Sequence, residues 1–336
     1  MNLVTGATGH IGNTLVRALR ARGLPVRAMI LPNEERTPLE NLDVEVVEGN
    51  VLHPQELLRA AQGVDTVYHL AAMVSILPGQ NEMMRRVNVE GTRNVIAAAR
   101  AAGVRRLVYT SSIHAILRAP HGTPIDESLP FDPQNPAGEY DRTKAQASLA
   151  VLEAAQDGLD AVIVCPTGVV GPGDYRWSEM GNLIFSWMKR GLHVIVDGHF
   201  DFVDVRDVAE GHILAAQYGQ RGQTYILGGE NITLDSMLRI VQEAAGIHSP
   251  RVKIPFGLAM AAAHLTPWYY RLTHTRPRFT PYSLETVQSN SEISNQRARR
   301  ELGFAPRSLR DSLTDTVQWW RQNAARLRSL AALGRM

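Results

Sequence analysis

Short apolar runs alternate with longer stretches of helical periodicity along the first half of the chain. Several of these runs are continuously apolar, which is typical of strands that are covered on both faces of a sheet. We predict strands over Met1–Thr5, Val26–Leu31, Val44–Glu48, Thr66–Leu70, Arg106–Thr110 and Ala161–Cys165. We predict helices over Ile11–Arg22, Pro54–Ala61, Asn81–Ala102, Glu139–Gln156 and Leu309–Arg321. This alternation predicts an α/β fold with a doubly wound parallel sheet.

Composition and charge argue against several classes of protein. The 336 residues include 35 Lys plus Arg and 33 Asp plus Glu, and the formal net charge of +2 is too small for nucleic-acid binding by phosphate neutralisation. The one cysteine, Cys165, cannot form an internal disulfide, so we expect a reducing, cytoplasmic compartment. The chain has no apolar run of the ~20 residues that a membrane span needs, and no room for a signal peptide before its first turn. We therefore expect neither a nucleic acid nor a membrane as partner.

A glycine-rich turn lies between the first predicted strand and the first predicted helix. It reads T-G-A-T-G-H-I-G from Thr5 to Gly12. Glycines at this spacing let the backbone approach a pyrophosphate closely, and the helix that follows points its free N–H groups at the same anion. We therefore predict a dinucleotide site at this junction. Its residues are Gly6, Thr8, Gly9, His10, Ile11 and Gly12.

Further motifs follow in order along nearly the whole chain. They are His69–Ala72, Asn88–Thr92, Tyr109–Ser112, Tyr140–Lys144, Gly171–Gly173 and Asp204–Ala209. Together with the glycine turn they resemble the extended short-chain dehydrogenases/reductases, the NAD-dependent epimerase/dehydratase family. The segments around Gly171–Gly173 and Gly198–Val205 look most like its dihydroflavonol reductase and 3β-hydroxysteroid dehydrogenase-like group.

The resemblance implies a Rossmann-type sheet and two interleaved parts. We expect residues 1–166 to form mainly the dinucleotide-binding domain. Residues 167–336 then form mainly a smaller C-terminal substrate-binding part, and a segment at about 200–228 returns to the Rossmann domain.

Tyr140 and Lys144 lie four positions apart in a predicted helix and therefore share one face. The usual pKa of tyrosine, ~10, is too high for acid–base catalysis at neutral pH. We expect a nearby ammonium and the charge of an oxidised nicotinamide to lower the pKa of Tyr140. Tyr140 would then take a proton from a hydroxyl group or give one to a carbonyl oxygen. The resemblance implies that Lys144 also binds the nicotinamide ribose.

Ser112 follows the fifth predicted strand, at the sheet edge where ligands of such folds collect. We expect its hydroxyl to hold the substrate oxygen near Tyr140. The adjacent Ser111 is an alternative, although the Thr-Ser-Ser segment of the family favours Ser112. The resemblance also implies that Asn88 supports the active site, and the alternative is a polar helix residue that faces water.

The resemblance implies the remaining cofactor contacts. They come from Leu31, Asn50, Val51, Leu70, Ala71, Ala72, Thr110, Pro166 and Val169, together with Tyr140 and Lys144. The second strand ends in Leu31, where NAD-preferring relatives usually have an acid and NADP-preferring relatives an arginine. Without that arginine, and with Glu34 and Glu35 beside Arg36, we expect NAD(P) to be used chiefly as NAD.

These residues predict an NAD(P)-dependent oxidoreductase that interconverts a secondary alcohol and a ketone by hydride transfer. A sugar-nucleotide epimerase with the same Ser-Tyr-Lys apparatus is one alternative. A non-catalytic dinucleotide-binding regulator is another, but Tyr140 and Lys144 are both present. The residues directly after Ser112 include no carboxylate, which argues against a dehydratase; one of them, His114, could face the substrate.

The expected partner is a small molecule, and we expect a homodimer. Aromatic residues in the second half favour an apolar substrate over a sugar nucleotide. They are Trp177, Phe185, Trp187, Trp268, Tyr269, Tyr270 and Phe279. The eleven histidines are scattered without the spacing of metal ligands, so we expect no metal site.

Overall fold

A parallel sheet forms the centre of the molecule. The structure, a computed structural model, describes residues 1–74, 81–264 and 281–332. Its strands are β1 (Asn2–Thr5), β2 (Val26–Ile30), β3 (Glu45–Glu48), β4 (Thr66–His69), β5 (Arg106–Thr110), β6 (Ala161–Pro166), β7 (Gly168–Val170), β8 (His193–Val196), β9 (His199–Asp204), β10 (Thr224–Leu227), β11 (Glu230–Thr233) and β12 (Arg251–Ile254). Seven of them pair in parallel in the order β10-β6-β5-β4-β1-β2-β3. The predicted fold class is therefore confirmed.

Helices cover both faces of this sheet. In the described residues they are α1 (His10–Ala21), α2 (Pro54–Ala61), α3 (Asn81–Arg85), α4 (Gly91–Ala101), α5 (Glu139–Gln156), α6 (Glu179–Trp187), α7 (Val205–Tyr218), α8 (Leu234–Ala244), α9 (Phe256–His264), α10 (Pro281–Gln288) and α11 (Leu309–Ala332). Short 3-10 turns occur at Thr37–Leu39 and Ile113–Ala115, and π-turns at Arg86–Glu90 and Ala298–Leu302. None of the helices in these ranges is long and apolar enough to cross a membrane.

The sheet separates two hydrophobic cores, which explains why its strands are continuously apolar. In β5, Leu107 and Tyr109 pack into one core and Val108 into the other. In β6, Ile163 and Val162 alternate in the same way. Each face of a strand therefore buries its own side chains, as expected for a doubly wound sheet.

Two predicted helices differ from those observed. The stretch predicted as one helix over Asn81–Ala102 contains a π-turn, within which the Asn88 side chain bonds to the segment after β4. The last helix extends past Arg321 to Ala332, because its buried stripe continues through Ala324 and Leu327.

The second half of the chain contributes both to the main sheet and to smaller ones. β10 pairs with β6 in the main sheet, and α7 packs against α1, whereas the preceding strand β9 belongs to a smaller sheet. Strands β7, β9 and β11 form a three-stranded sheet, and β8 pairs with β12. The sheet order reverses beside β1, between β4 and β2, and ligands of such folds bind at this kind of switch point.

Candidate active site

The glycine turn joins β1 to α1 in a tight conformation. Gly6 has a φ of +66°, and its carbonyl oxygen accepts a hydrogen bond from Gly9 N at 3.1 Å. A Cβ on Gly6 would lie 2.8 Å from Ala71 N, and one on Gly12 would lie 2.1 Å from Gly6 O. A Cβ on Gly9 would approach only Gly6 O, at 3.3 Å. Gly6 and Gly12 are therefore required for packing, whereas Gly9 leaves space above the turn.

A cleft of about 520 Å³ opens beside this turn. The predicted cofactor residues that line it are Gly6, Thr8, Gly9, Leu31, Asn50, Val51, Leu70, Ala71 and Ala72. They come from the carboxyl ends of neighbouring strands, so the topology brings them together. The narrow glycine turn and this elongated cleft fit a dinucleotide, whose pyrophosphate would lie at the start of α1.

His10, Ile11 and Gly12 are not among the residues that line this cleft. His10 Nε2 lies 3.1 Å from Pro172 O, and Asn13 Nδ2 donates to Gly173 O at 3.0 Å. These two bonds fasten the first turn of α1 to the loop after β7. The structure therefore gives this part of the predicted site a role in joining the two halves of the chain.

Two charged residues, Glu34 and Arg176, line the cleft. Sequence reasoning predicted Glu34 only as a nearby charge that opposes a phosphate, and it missed Arg176. The Glu34 carboxylate accepts a hydrogen bond from Leu31 N at 2.7 Å and forms an ion pair with Arg176. Arg176 also donates to Thr8 Oγ1 at 3.0 Å. Glu34 is only four residues past the end of β2, so a turn that brings it back to the strand could have been predicted. Arg176 comes from the loop between β7 and α6, and no local pattern points to it.

Tyr140 and Lys144 lie on the first turns of α5, as the sequence predicts. Lys144 is 3% exposed, its Nζ donates to Thr110 O at 2.7 Å, and burial lowers its pKa to about 8. Burial raises the pKa of Tyr140 to about 12, and the adjacent Ser112 hydroxyl opposes that rise. Desolvation therefore outweighs the stabilising contacts in the protein alone, and the expected lowering of the tyrosine pKa depends on the charge of a bound oxidised nicotinamide.

The two adjacent serines point in different directions. Ser112 lies close enough to Tyr140 to lower the tyrosine pKa, and its Oγ accepts a hydrogen bond from His114 N at 3.2 Å. Ser111 Oγ is buried 2.6 Å from Ser148 Oγ. The geometry therefore brings Ser112, and not Ser111, beside Tyr140.

Asn88 is 1% exposed and does not face water. Its Oδ1 accepts from Met73 N at 2.7 Å, while Nδ2 donates to Met73 O at 3.0 Å and to Thr143 Oγ1 at 3.1 Å. Asn88 thus ties the segment after β4 to α5, one residue from Lys144. Asn88 lies in the π-turn Arg86–Glu90, and π-turns within helices are often found at functional sites.

Buried polar networks support the ends of the central strands. His69 lies between Thr5 Oγ1 at 2.8 Å and Thr92 Oγ1 at 3.1 Å, and burial lowers its pKa to about 3. Thr110 Oγ1 lies 2.7 Å from Nε2 of His212, whose pKa burial lowers to about 4. Both imidazoles are therefore uncharged at neutral pH and hold the strand ends by hydrogen bonds.

The predicted cofactor residues Pro166 and Val169 lie at the end of β6 and in β7.

His114, Asp141 and Tyr282 meet on the substrate side of Ser112. His114 Nδ1 lies 3.5 Å from Asp141 Oδ1, which accepts from Tyr282 Oη at 3.2 Å. Burial lowers the pKa of His114 to about 4 and raises that of Asp141 to about 6. No sequence pattern predicts that a carboxylate from α5 reaches His114.

Three of the aromatic residues predicted to line a pocket belong to the core. Trp177, Phe185 and Trp187 pack in the same cluster as Trp320 of α11, whose ring centre lies 4.4 Å from that of Trp177. Trp268, Tyr269, Tyr270 and Phe279 lie outside the described residues. No group of three or more potential metal ligands occurs within the described ranges.

Comparisons with known proteins agree with this geometry. The model of the NAD-dependent epimerase/dehydratase family matches residues 2–228. Sterol demethylase protein B of Methylococcus capsulatus is 40% identical over 322 residues, covering 95% of this chain and 98% of that protein. A 3 beta-hydroxysteroid dehydrogenase/Delta 5→4-isomerase of Mycobacterium tuberculosis is 31% identical over 344 residues, covering 95% and 90%. The crystal structure of gox2253 matches with a TM-score of 0.84 at 36% identity, covering 96% and 98%.

The family match, the parallel sheet with its glycine turn, and these relatives lead to one conclusion. The chain belongs to the NAD-dependent epimerase/dehydratase family and is an NAD(P)-dependent oxidoreductase of the extended short-chain dehydrogenase/reductase type.

Proposed function

We propose that this enzyme interconverts a secondary alcohol and a ketone, with Tyr140 as the general acid and base. The observation that carries the proposal is the proximity of Ser112 to Tyr140, close enough for the serine hydroxyl to lower the tyrosine pKa, with Lys144 one turn farther along α5. NAD(P), when bound, supplies the acceptor or donor of the hydride. The protein's own task is to place the substrate oxygen and to move one proton.

Each side chain has a separate part in this proposal. Ser112 Oγ and Tyr140 Oη hold the substrate oxygen between them, and Tyr140 Oη gives or takes the proton. Lys144 donates one N–H to Thr110 O and has further N–H groups for a ribose. Asn88 is a positioning residue, because it acts through Met73 and Thr143.

We propose that the cleft beside the glycine turn holds NAD(P), with NAD preferred. The predicted cofactor residues that line it support this, as does Glu34 at the end of β2. A carboxylate there accepts hydrogen bonds from a ribose diol and repels a 2′-phosphate. Thr110 and Lys144, with Pro166 and Val169, then belong to the nicotinamide half of the site.

The finer description of the protein follows from the same proposal. Residues 1–166 serve mainly the cofactor and residues 167–336 mainly the substrate. The sterol and hydroxysteroid names of two relatives favour a small apolar ring alcohol or ketone. A single buried cysteine supports a cytoplasmic location, and we propose a homodimer, which sedimentation equilibrium tests directly.

The test compares Tyr140→Phe with Tyr218→Phe, which alters an exposed tyrosine at the end of α7. Cyclic alcohols and ketones are screened by nicotinamide absorbance with both cofactors. Tyr140→Phe should lose about 10²–10⁴ in turnover and keep its Kd for NAD, whereas Tyr218→Phe should match the wild type. Near-normal turnover by folded Tyr140→Phe contradicts the mechanism. A wild type that epimerises UDP-glucose but turns over no alcohol or ketone favours the epimerase instead.

A further inference from the structure

A second cavity, of about 240 Å³, begins directly beside the proposed catalytic residues. Ile113 and His114 form part of its wall and are the two residues that follow Ser112. Most of the wall is apolar, with Ile116, Ile125, Phe200 and Ile293 among its residues. His114 stacks on Phe200 with ring centres 5.6 Å apart. The cavity therefore suits an apolar body that reaches toward Ser112.

One cation lines this apolar cavity in the part of the chain that the structure describes, and one nitrogen of its guanidinium has no partner. Nη2 of Arg118 is buried and has no hydrogen-bond acceptor there. A buried N–H group without an acceptor loses its hydration and gains nothing in return. Such a group is retained at a cost to stability, which points to an acceptor that arrives with a ligand.

The neighbours of Arg118 do not supply that acceptor. Its positive charge acts on His114, Asp141 and Tyr282, so the guanidinium lies within the electrostatic reach of all three. His114 is neutral at pH 7, because burial lowers its pKa to about 4. Oδ2 of Asp141 is itself buried without a hydrogen-bond partner, so it is not bonded to Arg118.

We propose that this cavity takes the apolar body of the substrate and that Arg118 binds a carboxylate carried by that body. The inference rests on the proposed function, because it assigns the substrate end that lies beyond Ser112. A carboxylate matches the planar fork of a guanidinium and forms two charge-assisted hydrogen bonds with it. A neutral amide offers one carbonyl oxygen and no charge. Arg118 thus selects substrates that are both apolar and acidic.

The test uses matched pairs of aryl ketones that differ only in the acidic group. The probes are 4-acetylbenzoate and 4-acetylbenzamide, with the larger 6-acetyl-2-naphthoate and its amide. Kd is measured by calorimetry on the NADH-loaded protein. In the wild type each acid should bind about tenfold or more tightly than its amide. In Arg118→Gln the acid should lose that advantage while the affinity for the amide stays unchanged.

The matched control is Arg105→Gln, which removes an exposed arginine that pairs with Asp65. Arg105 directly precedes β5 and therefore lies at the sheet edge opposite to Ser112. It should leave the preference for acids intact. Equal affinity for acid and amide in the wild type, an acid preference that survives in Arg118→Gln, or failure of every probe to bind would each overturn the proposal. These measurements detect binding and not turnover. If the protein prefers acids but turns over no alcohol or ketone, the proposed function fails while this inference stands.

A second variant tests whether Arg118 has only a structural role. Arg118→Met keeps the length of the side chain but removes the guanidinium. At pH 5 Asp141, whose pKa burial raises to about 6, is largely protonated and needs no countercharge. The ligand-free variant should therefore have a higher unfolding temperature than the wild type at this pH, because an apolar group then meets an apolar wall. A lower unfolding temperature would mean that Arg118 stabilises the loop, and would count against a ligand-binding role.

Discussion

The carboxylate of Glu34 lies 2.7 Å from the backbone nitrogen of Leu31 and accepts its hydrogen bond. The chain after β2 thus folds back and holds an acid at the strand end, although the sequence has none at that position. The same carboxylate forms an ion pair with Arg176, which also donates to Thr8 Oγ1 at 3.0 Å. An acid and a cation therefore meet where the adenosine half of a dinucleotide would lie.

Glu34→Gln should shift the preference from NAD toward NADP. The substitution removes the charge that repels a 2′-phosphate, and it frees Arg176 to meet that phosphate. We expect the ratio of Kd for NADP to Kd for NAD to fall by about tenfold, the scale of one charge-assisted hydrogen bond. Titration of tryptophan fluorescence with each cofactor gives both constants.

Glu35→Gln is the matched control, since it removes the same charge one residue away. The Glu35 carboxylate accepts hydrogen bonds from the backbone nitrogen and the hydroxyl of Thr37. Glu35→Gln should therefore have the same ratio of Kd for NADP to Kd for NAD as the wild type. If both variants shift the ratio equally, only the general charge of the loop matters, and Glu34 is not a specific reader of the ribose.

Leu31→Arg should also favour NADP, but Glu34 limits its effect. Leu31 is 48% exposed and lines the cleft, so a guanidinium there can reach a 2′-phosphate. In the wild-type background Glu34 competes for the new cation, and kcat/KM for NADP relative to NAD should rise by about tenfold. Combined with Glu34→Gln the rise should exceed about a hundredfold, the product of the two single effects, because the new guanidinium no longer pairs with Glu34. Strictly additive effects would show that the two side chains do not interact.

The sequence predicted the parts of the site that depend on local pattern. The glycine turn, Ser112 and the Tyr140–Lys144 pair each lie at a strand end or on one helix, where periodicity fixes the position. The ion pair of Glu34 with Arg176 joins residues 142 positions apart, and the approach of Asp141 to His114 depends on how α5 packs. The π-turn at Asn88 arises from bonds to Met73, which no helical pattern reveals.

Ser112→Ala and Ser111→Ala should affect different properties. Ser112 lies beside Tyr140, where its hydroxyl can hold the substrate oxygen, so its loss should lower kcat by about 10²-fold and leave the unfolding temperature nearly unchanged. Ser111 bonds to Ser148 inside the core, so its loss should lower stability by about 1 kcal/mol with little effect on kcat. Steady-state kinetics and thermal unfolding of both variants decide. The reverse pattern would assign the substrate oxygen to Ser111.

The two directions of the reaction should depend differently on pH. Burial raises the pKa of Tyr140 to about 12 in the protein alone, so its hydroxyl is protonated at neutral pH. Ketone reduction needs that proton and should be constant between about pH 6 and 8, whereas alcohol oxidation needs the deprotonated form and should rise with pH until the tyrosine pKa of the NAD complex is reached. Profiles of kcat/KM measure both. If reduction falls as pH rises through about 6, Asp141 supplies the proton, because burial raises its pKa to about that value.

Gly9→Val and Gly12→Ala should separate cofactor binding from folding. A Cβ on Gly9 would lie 3.3 Å from Gly6 O and meet no other neighbour within 4 Å, so the branched side chain extends into the space above the turn. The fold should then survive while the Kd for NAD rises by at least about tenfold, because the pyrophosphate must approach this backbone.

Gly12 is the opposite case, since its Cβ would lie 2.1 Å from Gly6 O within the closed turn. Gly12→Ala must move the backbone and should lower the unfolding temperature by several degrees, with weaker NAD binding as a consequence of that loss. Fluorescence titration and thermal unfolding of both variants make the comparison. If folded Gly9→Val binds NAD as the wild type does, the pyrophosphate does not lie over the glycine turn. The dinucleotide would then have to bind elsewhere than in this cleft.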